Sequence, residues 1–315
     1  ERLERNAERF SQQSALIFED KALTWSELNA AANRYASAMK AEGLIGGDNV
    51  SVMMENRVEF LALLMGLNKI GVTAGLLNTN LTGKSLIHCI TVTQSKKCIF
   101  GEEVVDSVKD VYAELPLEQG QDFLFLADAG KQTAPQWSKD LDPLVAAANA
   151  GNPVETTAMT LGDIAFYIYT SGTTGLPKAA VISNRRYLVS ADMAGAGGLR
   201  CKTKDRIYLC LPLYHATGLL LGVGSALATG ASMFVRRKFS ASNFLKEVRQ
   251  HHCTHMIYIG ELCRYLVNSE AKADDAKNPL RSIMGNGLRP DIWMQFKKRY
   301  NIARICEFYG ASEGN

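Results

Sequence analysis

Residues 169–178 read Tyr-Thr-Ser-Gly-Thr-Thr-Gly-Leu-Pro-Lys, a polar stretch bounded on both sides by apolar ones. Upstream, Ile164-Ala165-Phe166-Tyr167-Ile168 is a β-rich apolar run with the character of a buried strand. Downstream, Ala179 to Ile182 is apolar again. A loop between two buried strands, rich in hydroxyls and glycines and ending in lysine, suits a phosphate. Gly172 and Gly175 allow close backbone approach and positive φ. Amides in such a turn converge on oxygen atoms without needing a helix. Thr170, Ser171, Thr173 and Thr174 add hydroxyl donors, and Lys178 adds a point charge. The stretch is not a Walker loop, because Leu176 and Pro177 separate the last glycine from the lysine. By composition alone a Ser/Thr/Gly-rich surface loop would look the same; the order of residues is what sets this one apart.

Upstream of the loop, short apolar runs alternate with helical patterns. Leu16 to Phe18 is a strand, and Thr24-Trp25-Ser26-Glu27 is a capping box opening a helix that Gly43 stops. Val50 to Met54 is a strand, Phe60 to Ile70 an apolar helix, and Val72 to Leu77 a strand. A helix from Leu86, a strand at Cys98 to Phe100, a helix from Glu102 to Glu114 and a strand at Phe123 to Leu126 follow. Asp128 to Thr157 breaks the rhythm as a surface connection with one short helix around Leu144 to Asn149. Downstream comes a helix near Asn184 to Gly195. Strands follow at Ile207 to Cys210, Met233 to Val235, His255 to Ile259, Ser282 to Met284 and Arg304 to Phe308. Helices between buried strands predict an α/β fold with parallel sheets covered on both faces.

The chain has 315 residues and 47% hydrophobic composition, enough for a large core and more than one lobe. A net charge of +3, without a run of lysine or arginine, gives no nucleic-acid signature. Seven scattered cysteines, with no C-x-x-C pair, fit reduced thiols in a cytosolic protein. The chain starts at Glu1 without methionine, so its native start is expected to lie upstream, and the first thirty residues do not resemble a signal peptide. Ile207 to Val235 has no Asp, Glu, Lys or Arg and is long enough to span a bilayer. Pro212 and several glycines within it favour a strand, a broken helix and a strand inside a folded core. His251-His252-Cys253-Thr254-His255 matches no standard zinc spacing.

Three later stretches carry chemistry. Leu211-Pro212-Leu213-Tyr214-His215 follows a strand, where it is equally a pocket wall or a turn held by Pro212 and a hydrogen-bonded histidine. Gly285-Asn286-Gly287 also follows a strand; it is an ordinary turn or a surface on which a flat purine could lie. Tyr309-Gly310-Ala311-Ser312-Glu313-Gly314-Asn315 combines an aromatic ring, a hydroxyl and a carboxylate suited to a hard cation, or is again a turn.

Together, in this order, the loop and these stretches resemble the signature motifs of the adenylate-forming enzymes. Tyr258-Ile259-Gly260-Glu261-Leu262-Cys263-Arg264-Tyr265-Leu266, Lys238-Phe239-Ser240-Ala241-Ser242 and Gly285-Asn286-Gly287-Leu288-Arg289 resemble, more narrowly, the fatty acid transport protein or very long-chain acyl-CoA synthetase family. The likeness is firmest from Ile164 to Asn315. Two departures stand out: Ser312 where threonine is usual, and Ser183-Asn184 in place of a His-Ser-type pair.

The resemblance implies two stacked, doubly wound α/β lobes, at 49–200 and 201–315, with 1–48 packing on the second. It also implies that a β-barrel lobe and a mobile C-terminal domain lie outside the chain. The implied reaction joins a fatty acid to coenzyme A through an acyl-adenylate, using ATP and magnesium, coupled to fatty acid uptake. The alternatives are a fatty acid transport module at a membrane with activation secondary, and a non-catalytic nucleotide-binding scaffold. Thr170 to Lys178 would hold the β- and γ-phosphates, with Thr174 and Lys178 as catalytic members. Tyr309 and Gly285, Asn286 and Gly287 would hold adenine, Ser312 the α-phosphate, Glu313 the magnesium, and His215 the acyl entrance. A ribose-binding aspartate, an arginine and an adenylating lysine would lie beyond Asn315, so the 315 residues alone are expected not to turn over. The implied setting is the cytoplasm or the cytoplasmic face of a membrane. A fatty acid substrate, peripheral membrane association and a homodimer are the candidate partners, and nucleic acid is not.

Overall fold

A computed structural model describes residues 1–170, 175–311 and 313. Its strands are β1 (Ser14–Phe18), β2 (Lys21–Thr24), β3 (Asn49–Met53), β4 (Thr73–Leu77), β5 (Lys97–Gly101), β6 (Phe123–Leu126) and β7 (Lys139–Asp140). These are followed by β8 (Ile164–Thr170), β9 (Lys178–Ser183), β10 (Arg206–Leu209), β11 (Ser232–Val235), β12 (His255–Ile259), β13 (Ser282–Asn286) and β14 (Arg304–Glu307). They form two seven-stranded sheets, in the orders β7-β6-β5-β3-β4-β8-β9 and β14-β13-β12-β10-β11-β1-β2. Within each sheet the strands pair in parallel, except for one antiparallel edge pair, β8 with β9 and β1 with β2. The α/β, doubly wound expectation holds for both sheets.

Contacts divide the chain into two units. One holds Glu27–Arg186; the other holds Arg2–Ser26 and Tyr187–Asn315. The expected boundaries were 48 and 200, so residues 27–48 fall with the first sheet rather than the second. The cause is helix Trp25–Ala41, which meets helix Val58–Lys69 closely. A methyl group on Gly66 would come within 2.5 Å of the Ala32 carbonyl oxygen. Lys69, buried between them, donates to the side-chain oxygens of Asn29 (2.8 Å), Asn33 (2.7 Å) and Asn152 (3.2 Å). A buried ammonium needs such acceptors.

In the first unit, every residue of β4, β5 and β6 is buried, as expected for strands covered on both faces. Ser51, in the middle of β3, satisfies its hydroxyl against Ser95 at 2.7 Å. Several local expectations needed refinement. The segment 102–114 is not one helix but three short turns, Glu102–Val104, Val105–Lys109 and Tyr112–Glu114. The connection 128–157 contains β7 and a helix at Asp142–Ala147, started by Pro143.

In the second unit, β1 lies parallel to β11, so the N-terminal segment supplies a strand to a sheet made mostly of the chain's last third. Arg2 grips Asp192 with both terminal nitrogens (2.8 and 2.6 Å), and the Trp25 indole donates to the Gly230 carbonyl (3.3 Å). The uncharged stretch 207–235 folds as β10, a wide helical segment Thr217–Val223 with helix Gly224–Thr229, and β11. No helix among the described residues is long and apolar enough to cross a membrane.

Candidate active site

The candidate residues fall into two groups, one in each unit. In the first unit, the loop is the connection of an antiparallel hairpin: Thr170 ends β8 and pairs with Lys178, which begins β9. The base of the hairpin is rigid. The Tyr169 hydroxyl donates to the Cys89 carbonyl (2.6 Å) and lies 3.3 Å from the Thr93 hydroxyl. The His88 Nε2 lies 3.0 Å from the Pro177 carbonyl oxygen, tying helix Gly83–Val92 to the loop exit. Gly175 has φ +99, a value only glycine adopts without strain. The Thr170 hydroxyl oxygen is buried and has no hydrogen-bond partner among the described residues. Lys178 is exposed at the edge of an open cleft of about 600 Å³, also lined by His88, Gln94, Tyr167, Leu176 and Pro177. Among the described residues, no carboxylate lines that cleft to offset the lysine charge. Ser171, Gly172, Thr173 and Thr174 lie outside the described residues.

In the second unit, β10 is the strand from which the sheet winds in both directions, with β11 on one side and β12 on the other. In open α/β sheets, ligands bind beyond the carboxyl ends of strands at such a switch. Leu211 to His215 occupies that position. The His215 backbone N–H donates to the Pro212 carbonyl (3.2 Å), and its own carbonyl accepts from Leu219 (3.0 Å), so the segment is a turn leading into a helix. Gly218 is required there: a methyl group would stand 2.5 Å from the Pro212 carbonyl oxygen. Tyr214 is buried, with its ring centre 4.7 Å from that of His215, whose side chain reaches solvent. Desolvation by the surrounding chain lowers the His215 pKa, which favours a neutral imidazole.

The same carboxyl edge carries the other motif. Gly285 sits opposite Tyr258 on β12 and Glu307 on β14. Gly287, at φ +76, turns the chain off β13. Neither Gly285 nor Gly260 has room for a side chain. A methyl group on Gly285 would lie 2.2 Å from the Tyr258 carbonyl oxygen, and one on Gly260 would lie 1.8 Å from that of Gly287. Asn286 is half-buried, with its Oδ1 buried and unpartnered among the described residues. Tyr309 follows β14 with 93% of its surface exposed, a large ring presented to solvent. Glu313 is exposed as well, and Ser312 lies outside the described residues.

The sequence reading missed Glu307 and Tyr258, which hold the glycine turn in place. The Tyr258 hydroxyl donates to Glu307 Oε1 at 2.6 Å, and the backbone N–H groups of Gly287 and Leu288 donate to the same carboxylate at 3.1 Å each. The available signal was a carboxylate two residues before Tyr309, at the end of a strand whose neighbours are apolar.

At the opposite end of this sheet, the donor atoms of Cys201, Asp205 and His255 all lie within 4.8 Å of one another. Asp205 is already engaged there, accepting from Arg281 (2.6 Å), the Thr254 hydroxyl (3.1 Å) and the Lys202 backbone (2.8 Å). Burial, and next the Asp205 charge, push the Cys201 thiol up to about 12. Hydrogen bonds and the Arg281–Asp205 ion pair tie this cluster together.

Comparison with known proteins agrees with this geometry. The AMP-binding enzyme family matches residues 3–315. The chain is 40% identical over 309 residues to the medium/long-chain-fatty-acid–CoA ligase FadD6 of Mycobacterium tuberculosis, covering 98% of this chain and 50% of that protein. It is 39% identical over 294 residues to human long-chain fatty acid transport protein 1, covering 93% of this chain and 45% of that one. The chain thus spans about half the length of these relatives. Among solved structures, a benzoate CoA ligase from Burkholderia xenovorans superposes with a TM-score of 0.86 at 20% identity, covering 99% of this chain and 60% of that one. The N-terminal domain of FACL13 from Mycobacterium tuberculosis gives 0.84 at 22% identity, covering 99% and 75%.

Proposed function

The chain belongs to the AMP-binding enzyme family, and from that premise we propose that it is the nucleotide-binding part of an enzyme that activates long- or very long-chain fatty acids as acyl-CoA. A fatty carboxylate oxygen attacks the α-phosphorus of ATP and pyrophosphate leaves. The coenzyme A thiol then attacks the acyl carbon of the adenylate and AMP leaves. Carboxylates are poor electrophiles, so the first step supplies the leaving group for the second. The protein's work is to position the reactants and neutralise charge gathering on phosphate oxygens.

The observation that carries this reading is the carboxyl edge of the second sheet. Parallel strands deliver His215, Gly285, Asn286, Gly287 and Tyr309 to one edge, with Glu313 in the segment just after β14. On this reading Tyr309 stacks on the adenine and the glycine turn lets the base lie flat. Ser312 contacts the α-phosphate, and the neutral His215 borders the acyl entrance. The phosphate loop from Thr170 to Lys178, with Thr174 and Lys178, holds the β- and γ-phosphates. Glu313, which is exposed, fits the one or two carboxylates that magnesium takes alongside phosphate oxygens. Magnesium, when bound, would neutralise phosphate charge.

The direct test is product analysis of the native protein that carries this sequence, given ATP, coenzyme A and a ladder of fatty acids. Acyl-CoA that appears only with all three supports the reading; ATP hydrolysis without it refutes it. Lys178→Ala should raise the ATP requirement by roughly 10- to 100-fold, as expected for one charge-assisted contact worth about 1.5–3 kcal/mol, and leave fatty-acid binding unchanged. Pyrophosphate-release kinetics with an unaltered ATP dependence would remove Lys178 from the site.

A second reading rests on the likeness to human long-chain fatty acid transport protein 1. In it, the protein draws fatty acid across a membrane as a peripheral, dimeric module on the cytoplasmic face, and activation is secondary. Flotation with lipid vesicles and sedimentation of the native protein test both features. A protein that neither floats nor self-associates removes the transport reading; the product analysis above then decides between activation and a non-catalytic nucleotide-binding scaffold.

A further inference from the structure

One carboxylate organises the whole glycine turn. Glu307 ends β14, and both of its oxygens point back at residues 287 and 288. Its Oε1 accepts from the Tyr258 hydroxyl at 2.6 Å and from the Leu288 N–H at 3.1 Å, while its Oε2 accepts from the Gly287 N–H at 3.1 Å. The three donors come from two different elements, the core strand β12 and the turn after β13. Tyr258 itself is fully buried, so its hydroxyl cannot turn to water instead. Burial and the neighbouring carboxylate both push the phenol's pKa up, which keeps it a donor. A fourth bond, Phe308 N–H to the Gly285 carbonyl at 3.0 Å, closes the register between β13 and β14.

The turn also has no slack. Gly260 and Gly285 are in backbone contact with Gly287 and Tyr258 respectively. Residues 285–288 therefore cannot approach β12 without colliding, and from the other side β14 presents the Glu307 carboxylate that binds them. Its carboxylate sets where the backbone of Gly287 and Leu288 stands.

We propose that Glu307 is the positioning residue of the purine subsite, fixing the Gly285–Gly287 turn through Gly287 and Leu288 without touching the nucleotide. The proposal rests on the reading of that turn as the adenine-holding surface. A carboxylate is the right group for the task because it accepts on both oxygens. Glutamine has the same shape, but its amide nitrogen would face either the Gly287 N–H or the Tyr258 and Leu288 donors, setting donor against donor. Tyr258→Phe removes one donor and leaves both backbone bonds in place.

The test is steady-state kinetics and adenosine-binding calorimetry on the native protein and three variants. Glu307→Gln should raise the KM for ATP by roughly tenfold or more, because a hydrogen bond to a charged group is lost at the turn. The KM values for fatty acid and coenzyme A, and kcat at saturating ATP, should stay within about twofold, the split expected when only nucleotide binding is impaired. Tyr258→Phe should show the same pattern with a smaller rise. Tyr309→Ala, measured beside them, tests the base reading separately. If Tyr309→Ala weakens adenosine binding and Glu307→Gln does not, the positioning role is wrong and the adenine reading stands. If neither variant changes adenosine binding, the adenine reading fails. If Glu307→Gln lowers kcat and raises all three KM values together with a fall in melting temperature, Glu307 is a general structural residue and the proposal is overturned.

Discussion

At the amino end of the second unit's sheet, Asp205 accepts from Arg281, Thr254 and Lys202, and His255 lies 2.8 Å from the Thr254 hydroxyl. At the carboxyl end of the same sheet, Glu307 is equally well bonded, but the groups around it face outward: Tyr309 stands exposed and His215 reaches solvent. The two ends share strands, twist and core, so intrinsic strand chemistry does not explain the contrast. Topology does. Crossover connections in a parallel sheet leave the carboxyl ends flanked by loops that spread apart at the switch strand. The amino ends are closed by the returning chain. A buried polar cluster at the closed end is a fastening. On the proposed reading, a comparable cluster at the open end, beside the exposed Tyr309 and His215, shapes a site. Titratable burial alone does not distinguish the two.

The strongest way to break this comparison is Gly260→Ala. A methyl group 1.8 Å from the Gly287 carbonyl oxygen cannot be absorbed by a flexible side chain, because the obstacle is backbone. Overpacking of this kind costs about 1–3 kcal/mol or more, and the glycine turn is what must move. The expected outcome is a clear fall in urea midpoint together with loss of nucleotide binding. Full nucleotide binding in a folded Gly260→Ala protein would mean that the turn is not the purine surface.

A reciprocal pair sharpens the contrast. Asp205→Ala at the closed end removes a buried acceptor with three partners, and hydrogen bonds to charged groups are worth about 1.5–3 kcal/mol. It should cost stability and leave the KM for ATP unchanged. Tyr309→Ala at the open end should do the reverse. Its ring is 93% exposed, so stability should stay within about 0.5 kcal/mol. If the ring stacks on the base as proposed, its loss, worth about 1–3 kcal/mol, should weaken nucleotide binding by roughly 5- to 150-fold. Parallel effects on stability and affinity in both variants would erase the distinction between the two ends.

Much of this architecture was legible before the structure. The apolar runs at 50–54, 98–100, 123–126 and 255–259 are strands because a strand buried on both faces has no polar side to show. The glycine turn and Tyr309 announced themselves as departures from that pattern. What stayed hidden depends on long-range pairing. The edge strand β2 carries Lys21 and Thr24 and has no apolar alternation, and β7 is two residues long. The place of residues 27–48 depends on Gly66 meeting Ala32, which no local signal reports. Arg57 is fully buried just before helix Val58–Lys69, with Asp128 at 3.4 Å and Glu103 at 3.7 Å. Glu102 accepts four backbone N–H groups from Asp128, Gly130, Lys131 and Gln132. Burial works to raise the Glu102 pKa, but those four donors outweigh it and hold the carboxyl below its ordinary range. Nothing in the local sequence marks these pairings, because pairing between distant segments leaves no periodic trace. The role of Glu307 was hidden for the same reason.

The smallest expected effect is a pH slope to which histidines at both ends contribute, with fatty-acid use telling the ends apart. His255 is buried at the closed end, and burial lowers its pKa. The Asp205 carboxylate pulls the other way, Arg281 reinforces the lowering, and the net direction is down. In the unfolded chain this histidine titrates near 6.5. As the pH falls through that value, the unfolded state takes up a proton that the folded state resists, so ν_U exceeds ν_N and stability declines. The contribution is present above the unfolded value and is lost progressively below it, until the folded histidine also protonates. His251 is shifted in the same direction, by burial first and by Arg206 and Arg236 next, and so is His215 by desolvation. His255→Gln should therefore flatten the loss of stability between pH 7.5 and 5 without abolishing it. Urea denaturation at several pH values measures that slope directly. His215→Gln, at the open end, should also flatten the slope and should in addition alter fatty-acid use if His215 borders the acyl entrance. A His255→Gln protein with an unchanged slope would show that the closed end does not exclude the proton, and one with altered fatty-acid use would show that it is not merely a fastening.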